Sequence, residues 1–296
     1  VVAVPPDATA EVVAAELQAW PRATVTDVAS VKSAILADLQ AAGADLGRYV
    51  GGHPLAGRER GGAISARADL FLGRPWVITG GESARRRLVE DLVIELGAVP
   101  VAMSAEEHDA AVALVSHTPQ VVSSLLARRL GGAPDAAVGL AGQGLRDTTR
   151  IASSDPELWV QILGANAGLV AGILKDYRAD LDALIAALDD PDAPGARRAI
   201  AESLAGGNAG VARIPGKHGQ AKHFSQLVIL VDDRPGELAR LLTEIGELGV
   251  NMEDLRLEHS PGAQVGLAEI AVLPEAEERL ATELTARGWK IAEAYA

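Results

Sequence analysis

The first 54 residues alternate between short apolar runs and amphipathic segments, and this alternation is the strongest constraint on the fold. The apolar runs are VVAVPP at 1–6, ATVTDVAS at 23–30 and RYVGGHP at 48–54, and the segments between them, 7–20 and 31–39, carry apolar side chains at helical spacing. Ser30 is placed to cap the second helix. Strand, helix, strand, helix, strand is typical of the second half of a doubly wound sheet. We therefore predict an α/β fold with a partial Rossmann-like parallel sheet.

The first half of a doubly wound sheet carries a G-x-G-x-x-G turn, at which a pyrophosphate binds. No such pattern occurs before residue 50. The glycine groups at 139–144 and 206–210 follow no predicted strand, so we assign them to loops. We therefore expect the chain to be an N-terminally truncated fragment that lacks the phosphate-binding half and binds a dinucleotide poorly.

The segment GGHPLAGRE at 51–59 places an imidazole, a carboxylate and a flexible turn at the end of a predicted strand. His53 precedes Pro54, which favours an extended backbone, and the glycines of the segment allow the main chain to approach a ligand closely. Ligands of α/β sheets bind at the carboxyl ends of strands. The segment alone is consistent with two interpretations, an active-site segment or a histidine that caps an ordinary turn.

A helical pattern begins after residue 80. The segment 83–96 places Leu88, Leu92 and Leu96 on one face, which we expect to be buried, and Gly97 ends this helix.

Pro119 interrupts the next predicted helix within SHTPQ at 116–120, because proline cannot donate a backbone hydrogen bond to the carbonyl of the preceding turn. The break leaves the polar side chains of Ser116, His117 and Gln120 open, which makes this a second candidate site. The alternative is that His117 only satisfies the broken turn. We expect His108 and Asp109, earlier on the same helix, to lie on the surface or to support the site.

A polar segment at 145–159 contains a third candidate site. We place Asp147 and Arg150 in a loop, where a guanidinium can bind a carboxylate through two hydrogen bonds, although arginines in polar loops are more commonly solvated. From 159 to 188 the apolar spacing predicts one long helix. Such a helix needs a partner to bury it, which suggests dimerisation.

The last part of the chain has a separate pattern. The predicted elements are a strand at 224–232, a helix around 237–248, strands at 251–259 and 264–273 across a turn at 260–262, a helix at 275–287 and a strand at 289–294. This βαββαβ order is typical of a ferredoxin-like fold. The predicted domains are a partial dinucleotide-binding domain at 1–102, an all-helical substrate and dimerisation domain at 103–213, a linker at 214–223 and the βαββαβ domain at 224–296.

Composition narrows the function classes. The formal charge of −13 argues against a nucleic-acid partner and against an anionic membrane surface, because both need a basic face. A small anionic substrate remains compatible with this charge. The chain has no cysteine, so it has no disulfide, thiolate nucleophile or zinc–sulfur site. We expect a cytoplasmic protein without a membrane span or a bound metal.

Several motifs follow one another in a fixed order: DVASVK at 27–32, GGHPLAGRE at 51–59, SHTPQ at 116–120, RDTTRIASSDPELW at 146–159 and LVILVDDRPGELARLLTEIGELGVNMEDL at 227–255. Together they resemble the prephenate and arogenate dehydrogenases of tyrosine biosynthesis with a C-terminal ACT domain. The resemblance covers nearly the whole chain. It implies an oxidative decarboxylation, in which hydride passes from the ring carbon bearing the hydroxyl to NAD or NADP while the ring carboxylate leaves as carbon dioxide.

The resemblance also implies residue roles. His53 corresponds to the catalytic histidine, which must be neutral to accept the hydroxyl proton. Ser30 corresponds to a serine near that hydroxyl and the nicotinamide, and Arg150 to the arginine that binds a substrate carboxylate. The other implied substrate residues are Glu59, Ser116, Gln120, Asp147 and Trp159, the last reaching toward the site from the partner subunit of a homodimer, and the implied cofactor residues are Val4, Pro5, Thr9 and Ser30.

Gln120 departs from the family pattern, because prephenate-specific members often have histidine at this position. The choice between prephenate and arogenate therefore stays open. The ACT resemblance implies a regulatory site for a small amino acid, tyrosine or phenylalanine, at Arg234, Pro235, Gly236, Glu237, Leu238 and Asn251. Two function classes remain: a dehydrogenase, or a non-catalytic amino-acid-sensing protein built on a degraded dehydrogenase.

Overall fold

Parallel strand pairing organises the N-terminal part of the chain. In the computed structural model, which describes residues 1–57, 66–214, 224–259 and 264–292, β1 (Val25–Thr26) pairs in parallel with β2 (Tyr49–Pro54). β3 (Pro75–Thr79) is antiparallel to β2, and β4 (Val99–Ala102) is parallel to β3. The sheet order is β1-β2-β3-β4. The predicted α/β class is confirmed, but the sheet is mixed rather than parallel.

The predicted strand at 1–6 is reduced to one bridge, in which Val2 pairs in parallel with Asp27. Helix α1 (Pro6–Ala19) begins directly afterwards. Proline has no N–H for a strand ladder but fits the first turn of a helix, which explains the early helix start. The core of this region joins α1, β1 and α2 (Ser33–Ala41) through Val13, Leu17, Val25, Ile35 and Leu39.

Helix α3 (Ser83–Glu95) buries a different face from the predicted one. Val89 and Val93 pack in a core cluster with Trp76 and Ile78 of β3. The predicted leucines are exposed: Leu88 by 57%, Leu92 by 37% and Leu96 by 39%. Each valine directly follows one of these leucines, so both stripes have helical spacing and the period alone cannot choose between them. Gly97, with φ 76°, ends the helix as predicted.

The helical region after β4 comprises α4 (Ala105–Val112), a π-helical turn (Ala113–His117), α5 (Thr118–Leu130), α6 (Asp135–Val138), α7 (Gln143–Thr149), a 3₁₀ turn (Arg150–Ala152), α8 (Pro156–Ala165), α9 (Ala167–Asp189) and α10 (Ala196–Val211). The predicted interruption near Pro119 is present as the π-helical turn. Among the described residues, the run Ala105–Leu130, which includes the π-helical turn, is long and apolar enough to cross a bilayer, a test of length and composition that core helices also pass.

Three predictions for this region are wrong. The predicted long helix is two helices, α8 and α9, which meet at 93° around Asn166. Asp147 lies in α7 and Arg150 in the 3₁₀ turn, rather than in a loop. The glycines at 206–210 lie inside α10. Isolated glycines cost a helix only about 1 kcal/mol each, so the flanking alanines and leucine keep this segment helical.

The chain divides into two compact units, residues 1–139 with 147–182, and residues 140–146 with 183–296. The second unit contains β5 (Ser225–Asp232), α11 (Glu237–Glu247), β6 (Asp254–His259), β7 (Val265–Val272), α12 (Pro274–Ala286) and β8 (Lys290–Ala292). The strands pair antiparallel in the order β6-β7-β5-β8. The predicted βαββαβ arrangement is therefore confirmed. The predicted turn at 260–262 and linker residues 215–223 lie outside the described residues.

Candidate active site

The carboxyl ends of the three apolar runs at 1–6, 23–30 and 48–54 meet at one edge of the first sheet. Val2 is parallel to Asp27, and β1 is parallel to β2, so their carboxyl ends share an edge. Val4 and Ser30, both half-buried, follow the first two segments, and His53 lies at the end of the third. In α/β sheets this edge is where nucleotide cofactors and substrates bind. Val4, Ser30 and His53 therefore lie where a bound dinucleotide would be expected.

His53 is the first member of a buried hydrogen-bonded chain. Its Nδ1 lies 2.8 Å from His108 Nε2, and His108 Nδ1 lies 2.7 Å from Asp109 Oδ1. The two imidazole rings meet edge to face, with centroids 5.0 Å apart. His108 and Asp109 are only 0% and 2% exposed. Of the two expectations for these residues, a surface position is wrong, and their contact with His53 agrees with the other, a position behind the site.

Asp109 also binds the N-terminus of α2, which we expected Ser30 to cap. The Asp109 carboxylate accepts the backbone N–H of Lys32 at 2.9 Å and that of Ser33 at 2.8 Å, and α2 has no cap from its own side chains. Burial opposes ionisation of Asp109, but the hydrogen bonds from His108 and from the α2 amides outweigh it, so the pKa of this carboxyl group is lowered. The ionised Asp109 carboxylate therefore binds both the N-terminus of α2 and His108.

Beneath this edge lies a buried ionic cluster of Asp27, Lys32 and Tyr49. Lys32 Nζ forms an ion pair with Asp27, and the Tyr49 hydroxyl donates to the same carboxylate at 2.6 Å. The Ala29 backbone N–H also donates to Asp27 at 2.8 Å, which fixes the loop that carries Ser30. Burial lowers the pKa of Lys32, against the attraction of Asp27. Burial and Asp27 together raise the pKa of Tyr49.

The glycine pair of the GGHPLAGRE segment accommodates these neighbours rather than a ligand. A Cβ on Gly51 would lie 2.5 Å from Thr79 Oγ1 and 3.2 Å from the Lys32 side chain, and one on Gly52 would lie 2.5 Å from the Asp27 carbonyl oxygen. Any side chain at either position would therefore displace buried groups. At Gly51 and Gly52 the space that a side chain would occupy is filled by the chain's own residues, whereas it is open at Gly57.

The surroundings of His53 favour the uncharged imidazole. Burial is the main cause that lowers its pKa well below the ordinary value of 6.5, and the positive charges that His108, Lys32 and His117 can carry act in the same direction. Asp109 opposes this shift but does not outweigh it. His53 is therefore neutral near pH 7, as a proton acceptor must be.

His117, on the π-helical turn, is a second buried imidazole of the site. Asn166 Nδ2 lies 3.2 Å from His117 Nδ1 and donates to the Asp109 carbonyl oxygen at 2.8 Å. Burial lowers the pKa of His117 to about 4, so it is also neutral near pH 7. The ring of Trp159 lies edge-on to His117, with centroids 5.9 Å apart. Trp159 thus contacts a histidine of its own chain, rather than reaching only toward a partner's site.

The predicted substrate residues beyond His117 lie around α5. Gln120 is buried, accepts a hydrogen bond from the Ser154 hydroxyl at 3.4 Å and donates one to Ser124 at 3.4 Å. The 3₁₀ turn that carries Arg150 packs on α5. Ser116 is half-buried, Asp147 and Arg150 are exposed, and Glu59 lies outside the described residues.

On the cofactor side, Thr9 is buried and its hydroxyl donates to the Pro5 carbonyl oxygen at 3.0 Å. Thr9 therefore stabilises the first turn of α1, while Pro5 is exposed and Val4 half-buried. Within the described ranges, no group of three or more His, Asp or Glu side chains is arranged to hold a metal ion.

Five of the residues predicted to form a regulatory site lie just before or at the start of α11, whereas Asn251 follows the end of this helix, at the opposite end of the sheet. Gly236 has φ 92° directly before the helix. Arg234 is exposed and pairs with Asp232 at 3.7 Å, and Asn251 donates to Glu253 at 3.0 Å. Of the remaining predicted residues, Glu237 pairs with Arg240 at 2.8 Å, Pro235 is exposed and Leu238 is half-buried.

Comparison with known proteins identifies the family. Residues 1–101 match the model for the nucleotide-binding domain of prephenate dehydrogenase, and residues 104–202 match the model for its dimerization domain. The chain belongs to the prephenate dehydrogenase family. It is therefore a dehydrogenase, an oxidoreductase that uses a nicotinamide dinucleotide.

Individual prephenate dehydrogenase relatives agree with this assignment. A probable prephenate dehydrogenase of Streptomyces niveus, NovF, is 36% identical over 98% of this chain and 83% of its own length. The arogenate dehydrogenase structure from Synechocystis is 30% identical, with a TM-score of 0.57 over 70% of this chain and 77% of that one. The prephenate dehydrogenase of Aquifex aeolicus in complex with hydroxyphenyl propionate and NAD+ is 27% identical, with a TM-score of 0.60 over 71% and 74% of the two chains.

Proposed function

We propose that this dehydrogenase catalyses the oxidative decarboxylation of prephenate to 4-hydroxyphenylpyruvate with NAD+ or NADP+, and that arogenate is the alternative substrate. The observation that carries the proposal is the half-buried His53 at the strand end, held in the uncharged form next to the loop with Ser30. A neutral imidazole at the cofactor edge of an α/β sheet is suited to accept a proton from a hydroxyl group that is being oxidised.

In this reaction the hydroxyl proton of the substrate moves to His53 while a carbonyl group forms at the same ring carbon. The nicotinamide, when bound, accepts the hydride that leaves this carbon. Loss of the ring carboxylate as carbon dioxide then sends its electron pair through the ring to the carbonyl oxygen, which takes up a proton, and the ring becomes aromatic. Ser30 orients the hydroxyl group. Because aromatisation itself is strongly favourable, the protein contributes mainly by positioning these groups.

Arg150 is the proposed partner of a substrate carboxylate, since its guanidinium offers a two-pronged set of donors. Its 3₁₀ turn packs on the helix that carries Gln120, which supports a common pocket for both residues. Ser116, Trp159, Asp147 and Glu59 are proposed to line the remainder of this pocket. Gln120 is uncharged, so it can contact either the keto acid side chain of prephenate or the amino acid side chain of arogenate.

The decisive experiment measures turnover of prephenate and of arogenate with each dinucleotide, for the wild-type protein and for His53→Asn. We expect the variant to lose roughly 10²- to 10⁴-fold in kcat, the usual contribution of a general base, with a smaller change in KM. Circular dichroism controls for folding. Equal turnover by the two proteins would contradict the role of His53.

The pH dependence of kcat/KM is a second test of His53 as the proton acceptor. Only neutral His53 accepts a proton, and its pKa is lowered from 6.5, so the active form persists as the pH falls through 6.5. The acid limb of kcat/KM is therefore expected well below pH 6.5. An acid limb centred at or above 6.5 would show that a different group controls the reaction.

A homodimer is part of the proposal. The match to a dimerization domain supports it, and α9 leaves a row of apolar side chains exposed. These are Leu169 (45%), Tyr177 (47%), Leu181 (42%), Ile185 (45%) and Leu188 (54%). A second copy of the chain would remove this row from water.

We also propose that the βαββαβ unit is an ACT module that binds tyrosine or phenylalanine near the start of α11. A carboxylate is favoured at a helix N-terminus, where Gly236 leaves the backbone open, and Asn251, at the opposite end of the sheet, would supply its amide to the same ligand from a paired module. Titration calorimetry of the full chain is expected to show saturable binding of one of these amino acids. Asn251→Ala should weaken it at least about 10-fold, the loss of one hydrogen bond to a charged group, while Asn208→Ala on exposed α10 leaves it unchanged. Absence of heat with both ligands would exclude the proposal.

A further inference from the structure

The hydrogen bonds of the buried chain determine which nitrogen of His53 carries a proton. Asp109 is ionised and accepts two backbone N–H groups, so it can only accept from His108. The proton of this contact therefore lies on His108 Nδ1. An uncharged imidazole with its proton on Nδ1 has its lone pair on Nε2. With a single proton on His108, its Nε2 accepts from His53 Nδ1, which lies 2.8 Å away; a doubly protonated His108 would instead donate to His53 Nδ1.

We infer that His108 and Asp109 are positioning residues that hold His53 as the Nδ1–H tautomer, which leaves the Nε2 lone pair free to take the substrate proton. An imidazole without such a partner interconverts between two tautomers, and only one of them places its lone pair on Nε2. The inference rests on the proposed function only for the identity of the proton donor. The tautomer itself follows from contacts within the chain.

The Asp109 carboxylate also connects the hydrogen-bonded histidines to the loop that carries Ser30. Asp109 binds the amides of Lys32 and Ser33, two and three residues after Ser30, so the loop with Ser30 and the imidazole of His53 are anchored to one group. Asn166 holds Asp109 from the other side by donating to its backbone carbonyl at 2.8 Å. Both groups proposed to contact the substrate hydroxyl therefore keep a fixed separation.

The tautomer can be measured directly by nuclear magnetic resonance on protein with isotope-labelled imidazole nitrogens. The chain has only six histidines, and His53→Asn identifies the signal of His53. We expect His53 to be neutral and protonated at Nδ1 near pH 7. Protonation at Nε2, or rapid exchange between both tautomers in the wild-type protein, would overturn the inference. This reading does not depend on turnover, so it stands or fails separately from the proposed function.

Two substitutions of His108 test its role. His108→Phe keeps a flat ring but removes the acceptor, so we expect a mixture of His53 tautomers and a loss in kcat of roughly 10- to 10²-fold with little change in KM, below the full contribution of a general base. His108→Gln has an amide that can donate to Asp109 and accept from His53, and it should restore the Nδ1–H signal and part of kcat. Unchanged tautomer and kcat in His108→Phe, or no difference between two folded variants, would contradict the inference.

Discussion

At the scale of single residues, the position of His53 depends on the absence of a side chain at Gly51 and at Gly52. Gly51 and Gly52 lie where the sheet approaches the Asp27–Lys32–Tyr49 cluster, and a Cβ at either position would collide with buried atoms. His53 follows them directly in β2. The backbone position of the proposed base is therefore set by the packing behind it.

Gly52→Ala tests this dependence. The new Cβ would lie 2.5 Å from the Asp27 carbonyl oxygen and 2.9 Å from Trp76 Nε1, so β2 must shift. We expect a loss of about 1–3 kcal/mol in the free energy of unfolding, the usual cost of overpacking, together with reduced kcat. Denaturant unfolding monitored by fluorescence measures the first quantity.

Gly57→Ala is the matched control, because no heavy atom lies within 4 Å of its Cβ and its φ is not positive. It should stay within about 0.5 kcal/mol of the wild type. If both variants unfold at the same denaturant concentration as the wild type, the glycine pair is not required by packing.

At the scale of elements, the sequence predicts the strands better than it predicts which helix side chains are buried and which residues they contact. The strand with His53 and the βαββαβ order follow from local patterns that the structure keeps. The burial of His108 and Asp109 could not be predicted in this way. It depends on α2 and β2, which are distant in sequence and supply the partners of both residues.

The π-helical turn is a second reason why the contacts of the helix residues could not be predicted from the sequence. His108 and His117 are nine positions apart, and at about 100° per residue a regular α-helix would place them on opposite faces. The π-helical turn at Ala113–His117 adds one residue to the helix, which reduces the offset to about 80°. Asn166 can then contact both the Asp109 backbone and His117. No hydropathy period reveals such an insertion, although Pro119 marks its neighbourhood.

At the scale of the whole molecule, charge and apolar exposure act in opposite directions on association. The formal charge of −13 keeps like chains apart over long distances. The apolar row on α9 favours short-range contact with a second copy, and its burial contributes in proportion to area. A dimer is therefore expected to become more stable as salt screens the charge.

Leu181→Glu tests whether the α9 row is the dimer contact. It places a charge in the middle of the apolar row, where burial without a partner is costly, so we expect the mass measured by light scattering to fall from dimer to monomer. Ala179→Glu adds the same charge about 160° around the helix from Leu181, outside the row, and should leave the dimer intact. If Leu181→Glu keeps the dimer mass at physiological salt, or if the wild-type protein is a monomer there, the subunits do not associate through this face of α9.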